Sequence, residues 1–279
     1  MNFEKNFLLA NIISITSGKG GVGKTNIVIN LAYSLIRIQK KVLIMDADIG
    51  LADITMLLGL TPKYSILNVL KGEKKLSEII IKGPGGIDII PTESAMEQLT
   101  LLDNNQKLYL KNKLKSLLVD YDVILIDTPS GIGQNVMTFN QIAEKILVVL
   151  TPDPTSLTDA YALIKILTKN YNINHFHLLC NFIRSKQEGE EIFNRLHKVV
   201  KRFLKIELIP AGFIYSDNLL MTSVRSQKMV TLTHPNAKSS KCFYKLADHI
   251  NNETPHNQNP YYFMNNFFHI EDRRINKCH

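Results

Sequence analysis

A glycine-rich segment with two lysines is the part of the sequence whose residue types predict chemistry most directly. It reads GKGGVGKT, from Gly18 to Thr25, and follows an apolar run typical of a buried strand. Between a strand and a helix, the pattern G-x-x-x-x-G-K-[ST] binds phosphate, because backbone N–H groups converge on phosphate oxygens at a helix N-terminus. We expect Lys24 to bridge the β- and γ-phosphates of a nucleotide and the Thr25 hydroxyl to bind Mg²⁺. The residues expected to line the phosphates are Gly18, Gly20, Gly21, Val22, Gly23, Lys24 and Thr25.

Two acidic strand ends would complete a site for a metal-bound nucleotide. Asp127 ends the apolar run VILID and begins DTPSG, so its carboxylate is expected to hold Mg²⁺ directly or through water. Gly131, in the same segment, stands where a backbone N–H can sense a γ-phosphate. Asp46 and Asp48 lie in MDADIG after another apolar run, on one face of the chain. Asp46 could contribute through the metal shell.

The residues at the end of the predicted strand 176–181 indicate whether the nucleotide carries guanine or adenine. A guanine site usually needs Asn-Lys-x-Asp, whose last carboxylate accepts hydrogen bonds from guanine. In NFIR, Asn181 is present, but Arg184 stands where that carboxylate would be. A cation offers nothing to the guanine donors, so adenine is favoured. We expect the loop after Ile209 and Pro210 to lie beside Asn181 near the base.

The elements that must position these residues alternate between strands and helices. The strands read as apolar on both faces, as a parallel sheet covered by helices requires. The sequence therefore predicts an α/β fold with a doubly wound, mostly parallel sheet flanked by helices, with ligands at the carboxyl ends of the strands. The predicted strands are 12–16, 41–46, 86–90, 122–127, 145–150, 176–181 and 206–209. The predicted helices are 24–39, 104–119, 134–143, 155–170, 188–204, 217–226 and one that opens at Asn236.

Composition excludes several classes of protein. The 279 residues are 45% hydrophobic and include no run of 18 apolar residues, which is typical of a globular protein and not of a membrane-spanning one. The three cysteines are odd in number and far apart, which excludes a disulfide framework and C-x-x-C metal sites and favours a reducing cytoplasm. All of the net charge of +8 comes from residues 165–250, with 14 Lys and Arg against 6 Asp and Glu. This basic segment is either a solvated surface or a surface that attracts DNA, anionic lipid or an acidic protein.

The chain divides into three segments by composition. Residues 1–250 form the predicted nucleotide-binding domain, and the polar, proline-bracketed residues 251–260 are a predicted linker. In residues 261–279, the apolar residues Phe263, Met264, Phe267, Phe268 and Ile270 would share one face of a helix, with Glu271 intruding on that face. Such a tail could lie on an anionic membrane surface or dock on a protein.

The second lysine of the loop identifies a resemblance. From Lys19 to Thr25 the sequence matches K-G-G-x-G-K-T at every position and resembles the deviant Walker A P-loop ATPases of the MinD/ParA type. The resemblance implies ATP and Mg²⁺ as ligands and a dimer in which Lys19 contacts the nucleotide of the partner. It also implies that Asp48 orients or deprotonates the attacking water and belongs to the metal site. By the same resemblance Asn181 contacts adenine.

Longer segments are similar to one branch, the flagellar-number ATPases of the FlhG/FleN/YlxH type. They include SGKGGVGKTN, with Asn26 after the threonine, residues 47–60 and 127–136, and TPDPTSLTDAYALIKIL at 151–167. The resemblance implies a cytoplasmic ATPase, peripheral on the inner face of the membrane. The implied partners are the SRP-type GTPase FlhF, flagellar C-ring components or a transcription activator. The first ten residues lack the D-Q-A-x-x-L-R motif of many relatives, which argues against stimulation of FlhF by that route.

Other functions of the same scaffold stay open at this point. A ParA-like partition ATPase would use the basic segment to bind DNA without reading sequence, although nucleic acid is the less favoured partner. A MinD-type regulator of the division site is a second alternative. A biosynthetic ligase would need a small-substrate site that we do not find, and a tyrosine kinase would need more tail tyrosines than Tyr261 and Tyr262.

Overall fold

The structure is a computed structural model that describes residues 10–47, 54–91 and 119–253. Its strands are β1 (Asn11–Ser17), β2 (Val42–Asp46), β3 (Ile81–Lys82), β4 (Asp88–Pro91), β5 (Val123–Ser130), β6 (Lys145–Leu150), β7 (Phe176–Ile183) and β8 (Leu208–Tyr215). They form one sheet in the order β3-β4-β2-β5-β1-β6-β7-β8. Among the strand pairs of these described ranges, only the short pairing of β3 with β4 is antiparallel. The predicted doubly wound, mostly parallel sheet is confirmed.

Helices cover both faces of this sheet. The longer ones are α1 (Lys24–Arg37), α5 (Gln134–Ile142), α6 (Pro154–Tyr171), α7 (Lys186–Leu204), α8 (Asn218–Arg225) and α10 (Lys238–Asn252). The short ones are α2 (Ile54–Leu57), α3 (Ile66–Leu70), α4 (Leu76–Ile79) and α9 (Val230–Thr233), and Pro84–Gly86 forms a 3₁₀ turn.

Two apolar cores lie on the two sides of the sheet. Residues from α5, α6 and α7 pack on one side, and residues from α1 and α10 pack on the other. Alternate residues of a strand point to opposite faces, so both faces of the central strands must be apolar. In β1, six of seven residues are buried, and β2, β4 and β6 are buried throughout.

A buried polar network joins α5 to the strand that leads into the glycine-rich loop. The Ser14 hydroxyl of β1 donates to Asn140 Oδ1 at 2.8 Å, and Asn140 Nδ2 donates to Thr16 Oγ1 at 3.2 Å. Each of these side chains is fully buried. Because a buried polar group costs free energy unless it is paired, the network fixes one position of α5 against β1.

The structure corrects several boundaries. The predicted end of the last strand at Ile209 is wrong, since β8 continues to Tyr215 and Pro210 pairs with Leu178 of β7 inside the sheet. The predicted linker begins too early, since α10 runs through Asn252. The two-residue β3 and the short helices were not predicted, because four or five residues are too few to show a period. The predicted helix 104–119 and the tail 261–279 lie outside the described residues, apart from Val119 in a turn.

Among the helices of the described ranges, we find none that combines the length and the apolar character needed to cross a membrane.

Candidate functional site: a phosphate loop at the carboxyl edge of the sheet

The glycine-rich loop joins β1 to α1 at the centre of the sheet. Gly18 lies so close to α6 that an added Cβ would clash with the main-chain carbonyl of Asp159, so this position admits no side chain. Gly23 has φ +91°, a conformation that side chains rarely adopt, and it precedes α1 without a side-chain cap. The N-terminus of α1 therefore directs its first N–H groups to where an anion can bind.

The two lysines of the loop have different surroundings. Lys24 is 6% exposed, and its Nζ donates to Ser130 Oγ at the end of β5, 2.5 Å away. Lys19 has 37% of its side chain exposed; its ammonium forms an ion pair with Asp153 and donates to Thr155 Oγ1 at 2.6 Å. One lysine is thus directed into the site, and the other lies at its rim against α6.

Asp153 has two roles at the start of α6. Its Oδ1 accepts from the N–H of Thr155 at 2.9 Å, which makes it the N-cap, and its Oδ2 accepts from Lys19. The hydrogen bond from Lys19, followed by those from Thr155, lowers the pKa of the Asp153 carboxyl. The carboxylate therefore stays charged, and it holds Lys19 within the chain.

Two buried carboxylates lie side by side behind the loop. Asp46 and Asp127 are register partners on the adjacent strands β2 and β5, and both are buried. Neighbouring residues in register on parallel strands point to the same face. Asp46 Oδ2 also accepts from the N–H of Ile54 at 3.1 Å. The expected water-orienting residue Asp48 lies in residues 48–53, outside the described residues.

Gly131 is tied to the end of β1. Its N–H donates to the carbonyl of Ser17 at 2.9 Å, and the Ser17 hydroxyl donates to the carbonyl of Lys19 at 2.7 Å. The expected contact between the Gly131 N–H and a γ-phosphate therefore requires the first of these bonds to open.

Asn181 supports the loop directly. Its Nδ2 donates to the carbonyl of Val22 at 2.8 Å, and its Oδ1 accepts from the N–H of Phe182 at 2.9 Å. Phe182 has φ +59° and packs its ring against Gly23. In this conformation the Nδ2 and the Oδ1 of Asn181, the side chain expected to contact adenine, are both hydrogen-bonded to the backbone of the chain itself.

The remaining predicted residues are distributed as follows. Gly20 and Gly21 are exposed on the outer turn of the loop, whereas the side chain of Val22 and the side chain of Thr25 are buried. Asn26 lies on α1, and its Oδ1 accepts from Asn30 Nδ2 at 2.6 Å. Pro210 is not near the loop edge, because it pairs with Leu178, three residues before Asn181. The residues that follow β8 are Ser216 and Asp217.

Three residues of the site were missed from the sequence. Ser130 holds Lys24, and Asp153 with Thr155 holds Lys19. The signal available was the D-P-T segment, since an aspartate before proline after a predicted strand is a typical helix N-cap.

The donor set fits a nucleotide with a hard divalent cation. A loop with uncapped helix N–H groups and a buried lysine suits phosphate, and carboxylates with a hydroxyl are the oxygen ligands that Mg²⁺ prefers. Asp46 and Asp127, in register on β2 and β5, and Thr25 at the start of α1 would supply those oxygens.

Comparisons with known proteins place the chain in a family. A family profile described as an AAA domain matches residues 10–178. The antiactivator FleN of Pseudomonas aeruginosa is 38% identical over 239 residues, covering 86% of this chain and 85% of FleN. The flagellum site-determining protein YlxH of Helicobacter pylori is 39% identical over 236 residues, covering 84% of this chain and 80% of YlxH.

The chain belongs to the MinD/ParA family of P-loop ATPases. Its fold agrees with that of a solved MinD/ParA structure, the septum site-determining protein MinD of Pyrococcus horikoshii in complex with Mg-ADP. The two superpose with a TM-score of 0.69 at 26% identity, covering 88% of this chain and 97% of that one.

Proposed function

We propose that the protein is a MinD-like ATPase that works as an ATP-dependent dimerisation switch and regulates flagellar number or placement. The similarity to FleN and YlxH, which extends over most of each chain, supports the flagellar role. The observation that carries the switch is the division between the two lysines. Lys24 is buried against Ser130, whereas Lys19 lies partly exposed at the rim, where a second molecule can reach it.

The roles of the residues follow from their surroundings. Lys24 and the N–H groups at the start of α1 would bind the phosphates, and Thr25 with Asp127 would hold Mg²⁺. Bound Mg²⁺ would neutralise charge on the phosphates of ATP. Asp46, in register with Asp127, keeps a second carboxylate beside that position. Asp48 is proposed to orient or deprotonate the attacking water.

Dimerisation would change the partner of Lys19. Within one chain its ammonium is held by Asp153 and Thr155. In the proposed dimer it contacts the nucleotide of the partner and stabilises negative charge there, as an arginine finger does. The ion pair with Asp153 therefore competes with dimerisation. The contacts that Lys19 makes with ATP in the dimer must outweigh the loss of this ion pair.

The test measures the mass of the protein by size-exclusion chromatography with light scattering, with ATP or with ADP. Asp48→Ala should bind ATP, dimerise and fail to turn over, whereas Lys24→Ala should bind no nucleotide. Lys19→Ala in the Asp48→Ala background should bind ATP and stay a monomer. Lys169→Ala, at an exposed lysine near the end of α6, is the matched control and should dimerise. An ATP-saturated Asp48→Ala protein that remains monomeric would contradict the switch.

The flagellar role needs a separate measurement. Deleting the gene from its own host should change the number or position of flagella, counted by electron microscopy. The wild-type gene and Lys169→Ala should restore the pattern, and Lys19→Ala should not. Normal flagella in the deletion strain would exclude the flagellar role and leave the dimerisation switch standing.

A second candidate is a ParA-like ATPase that binds DNA through α7. The helix carries Lys198, Lys201, Arg202 and, at its end, Lys205 on its outer side. Part of this charge is neutralised, because Glu207 pairs with Lys201 and with His197, both at 2.5 Å. ATP-dependent binding to random duplex DNA that weakens steeply with salt would favour this candidate.

Peripheral membrane binding and the protein partners are also proposed from the resemblance. The tail 261–279 would supply a weak membrane contact in each chain, and a dimer would supply two. Deleting residues 255–279 should abolish ATP-dependent sedimentation with anionic vesicles. Purified FlhF, C-ring components and a transcription activator are the partners to test by pull-down in ATP.

A further inference from the structure

A cluster of titratable side chains lies at the edge of the sheet opposite the phosphate loop. His177 is the second residue of β7, His249 lies near the end of α10, and Glu253 follows that helix directly. The phosphate loop is at the carboxyl end of β1, and β7 runs parallel to the same sheet, so the start of β7 is at the other edge. Nothing in the proposed ATPase cycle uses this cluster.

The local structure brings the three side chains together. Residues 249 and 253 are four apart, so a helix places them on the same face. His177 alternates with core residues of β7 and points to the side of the sheet that α10 covers. His177 Nδ1 lies 3.4 Å from Glu253 Oε2, and His249 Nε2 lies 3.3 Å from Glu253 Oε1.

These distances are close to those between neighbouring ligands of a tetrahedral metal centre, with each imidazole facing a different oxygen of the Glu253 carboxylate. With metal–nitrogen and metal–oxygen bonds of about 2.0–2.1 Å, two ligand atoms on a tetrahedron are about 3.3–3.4 Å apart. The three candidate ligand atoms all lie within 4.8 Å of one another, and the two imidazole rings have centroids 5.9 Å apart. His249 Nε2 is buried and makes no hydrogen bond of good geometry. Two imidazoles and one carboxylate are a typical ligand set for zinc.

Burial, first of all, lowers the pKa of His177 to about 4. One neighbouring charge opposes metal binding at the cluster. Lys145 is the opposing group, since its Nζ lies 3.6 Å from Glu253 Oε2. The same Nζ donates to the carbonyls of Ile250 and Glu253 at 3.1 and 3.0 Å, so it also fixes the end of α10.

We propose that His177, His249 and Glu253 bind one divalent transition-metal ion, with zinc as the best match, and thereby fix the end of α10 to β7. The fourth position of a tetrahedral centre would hold water. The proposed site is independent of the nucleotide loop.

The test titrates the full chain, stripped with chelator, with Zn²⁺ in competition with a chromophoric chelator. The chain should bind one more equivalent of Zn²⁺ than the double variant His177→Gln/His249→Gln. This difference matters because the tail carries further histidines and Cys278. Glu253→Gln should weaken binding at least tenfold.

His197→Gln is the matched control, because His197 also faces a carboxylate, that of Glu207, and belongs to no three-ligand group among the described residues. It should bind Zn²⁺ as the wild type does. The visible absorption of a tetrahedral Co²⁺ complex should be stronger for the wild type and for His197→Gln than for the double variant. Circular dichroism checks that each variant is folded. Equal Zn²⁺ uptake by the wild type and the folded double variant would overturn the proposal and leave the cluster a purely structural one.

Discussion

Replacing Asn181 with alanine separates a structural role from a role in binding the base. The side chain is 3% exposed and is hydrogen-bonded to the carbonyl of Val22 and to the N–H of Phe182. The substitution leaves one buried and one partly buried backbone group without these partners, at about 1–3 kcal/mol for each group that water does not reach. Because the loop is partly open to solvent, we expect the free energy of unfolding to fall by about 2 kcal/mol in total.

The assay is urea-induced unfolding in the absence of nucleotide, followed by titration with a fluorescent ATP analogue. A residue that serves only the base would lower ATP affinity and leave the nucleotide-free stability unchanged. We expect both to fall, since the Val22 carbonyl belongs to the phosphate loop. An unchanged urea midpoint for a variant that binds ATP poorly would refute the structural role.

A double-mutant cycle sharpens this prediction. A Cβ on Gly23 would lie 2.6 Å from Asn181 Nδ2, so Gly23→Ala forces the amide away in addition to straining a residue at φ +91°. Removing the amide first should make Gly23→Ala less costly by about 1 kcal/mol, while the strain of the positive φ remains. Additive effects of the two substitutions would mean that the amide does not occupy this space.

Three further predictions concern the surroundings of the site. Burial raises the pKa of Glu144 from 4.5 to about 7, so the folded protein loses stability as pH rises through this range. Urea midpoints should therefore show Glu144→Gln equal to the wild type near pH 4 and more stable by about 1–2 kcal/mol at pH 8, after allowance for partial exposure. Asp153→Asn keeps the helix cap and loses the charge that holds Lys19, so ATP-dependent dimers should form at about two- to fivefold lower concentration in light scattering; an unchanged concentration would rule out competition by this ion pair. Gly18→Ala should lower the free energy of unfolding by about 2 kcal/mol, because the methyl group clashes with Asp159, and a wild-type thermal midpoint would show that the loop can shift.

The sheet could be predicted because its signal is local. Strands such as KILVVL are apolar on both faces, and the predicted range 145–150 agrees with β6. Where a strand contains proline and glycine the pattern misleads: LIPAGFIY is one strand, although its third and fifth residues suggest a turn. There β8 is irregular, as a register shift opposite Leu178 and Leu179 shows.

For the site, the sequence predicts the types of residue and their spacing along the chain, but not the contacts between them. The loop motif identifies Lys19 and Lys24 as different from each other, but their partners are 134 and 106 residues away in the chain. Such contacts depend on the order of strands in the sheet, which periodicity does not specify. For the same reason the sequence predicts Asn181 at the base, whereas its hydrogen bond to the carbonyl of Val22 depends on how β7 lies relative to the loop.

Ser17 is bonded to both of the groups that would report the state of the nucleotide. Its carbonyl accepts from Gly131, and its hydroxyl donates to the carbonyl of Lys19. In the proposed cycle Gly131 would turn toward an intact triphosphate, and the Ser17 carbonyl would then lose its partner. The same serine fixes the backbone of Lys19 through its hydroxyl. In the proposed dimer, Ser17 would therefore link the state of ATP in one chain to the lysine that contacts the nucleotide of the other, and could couple hydrolysis to separation of the two chains.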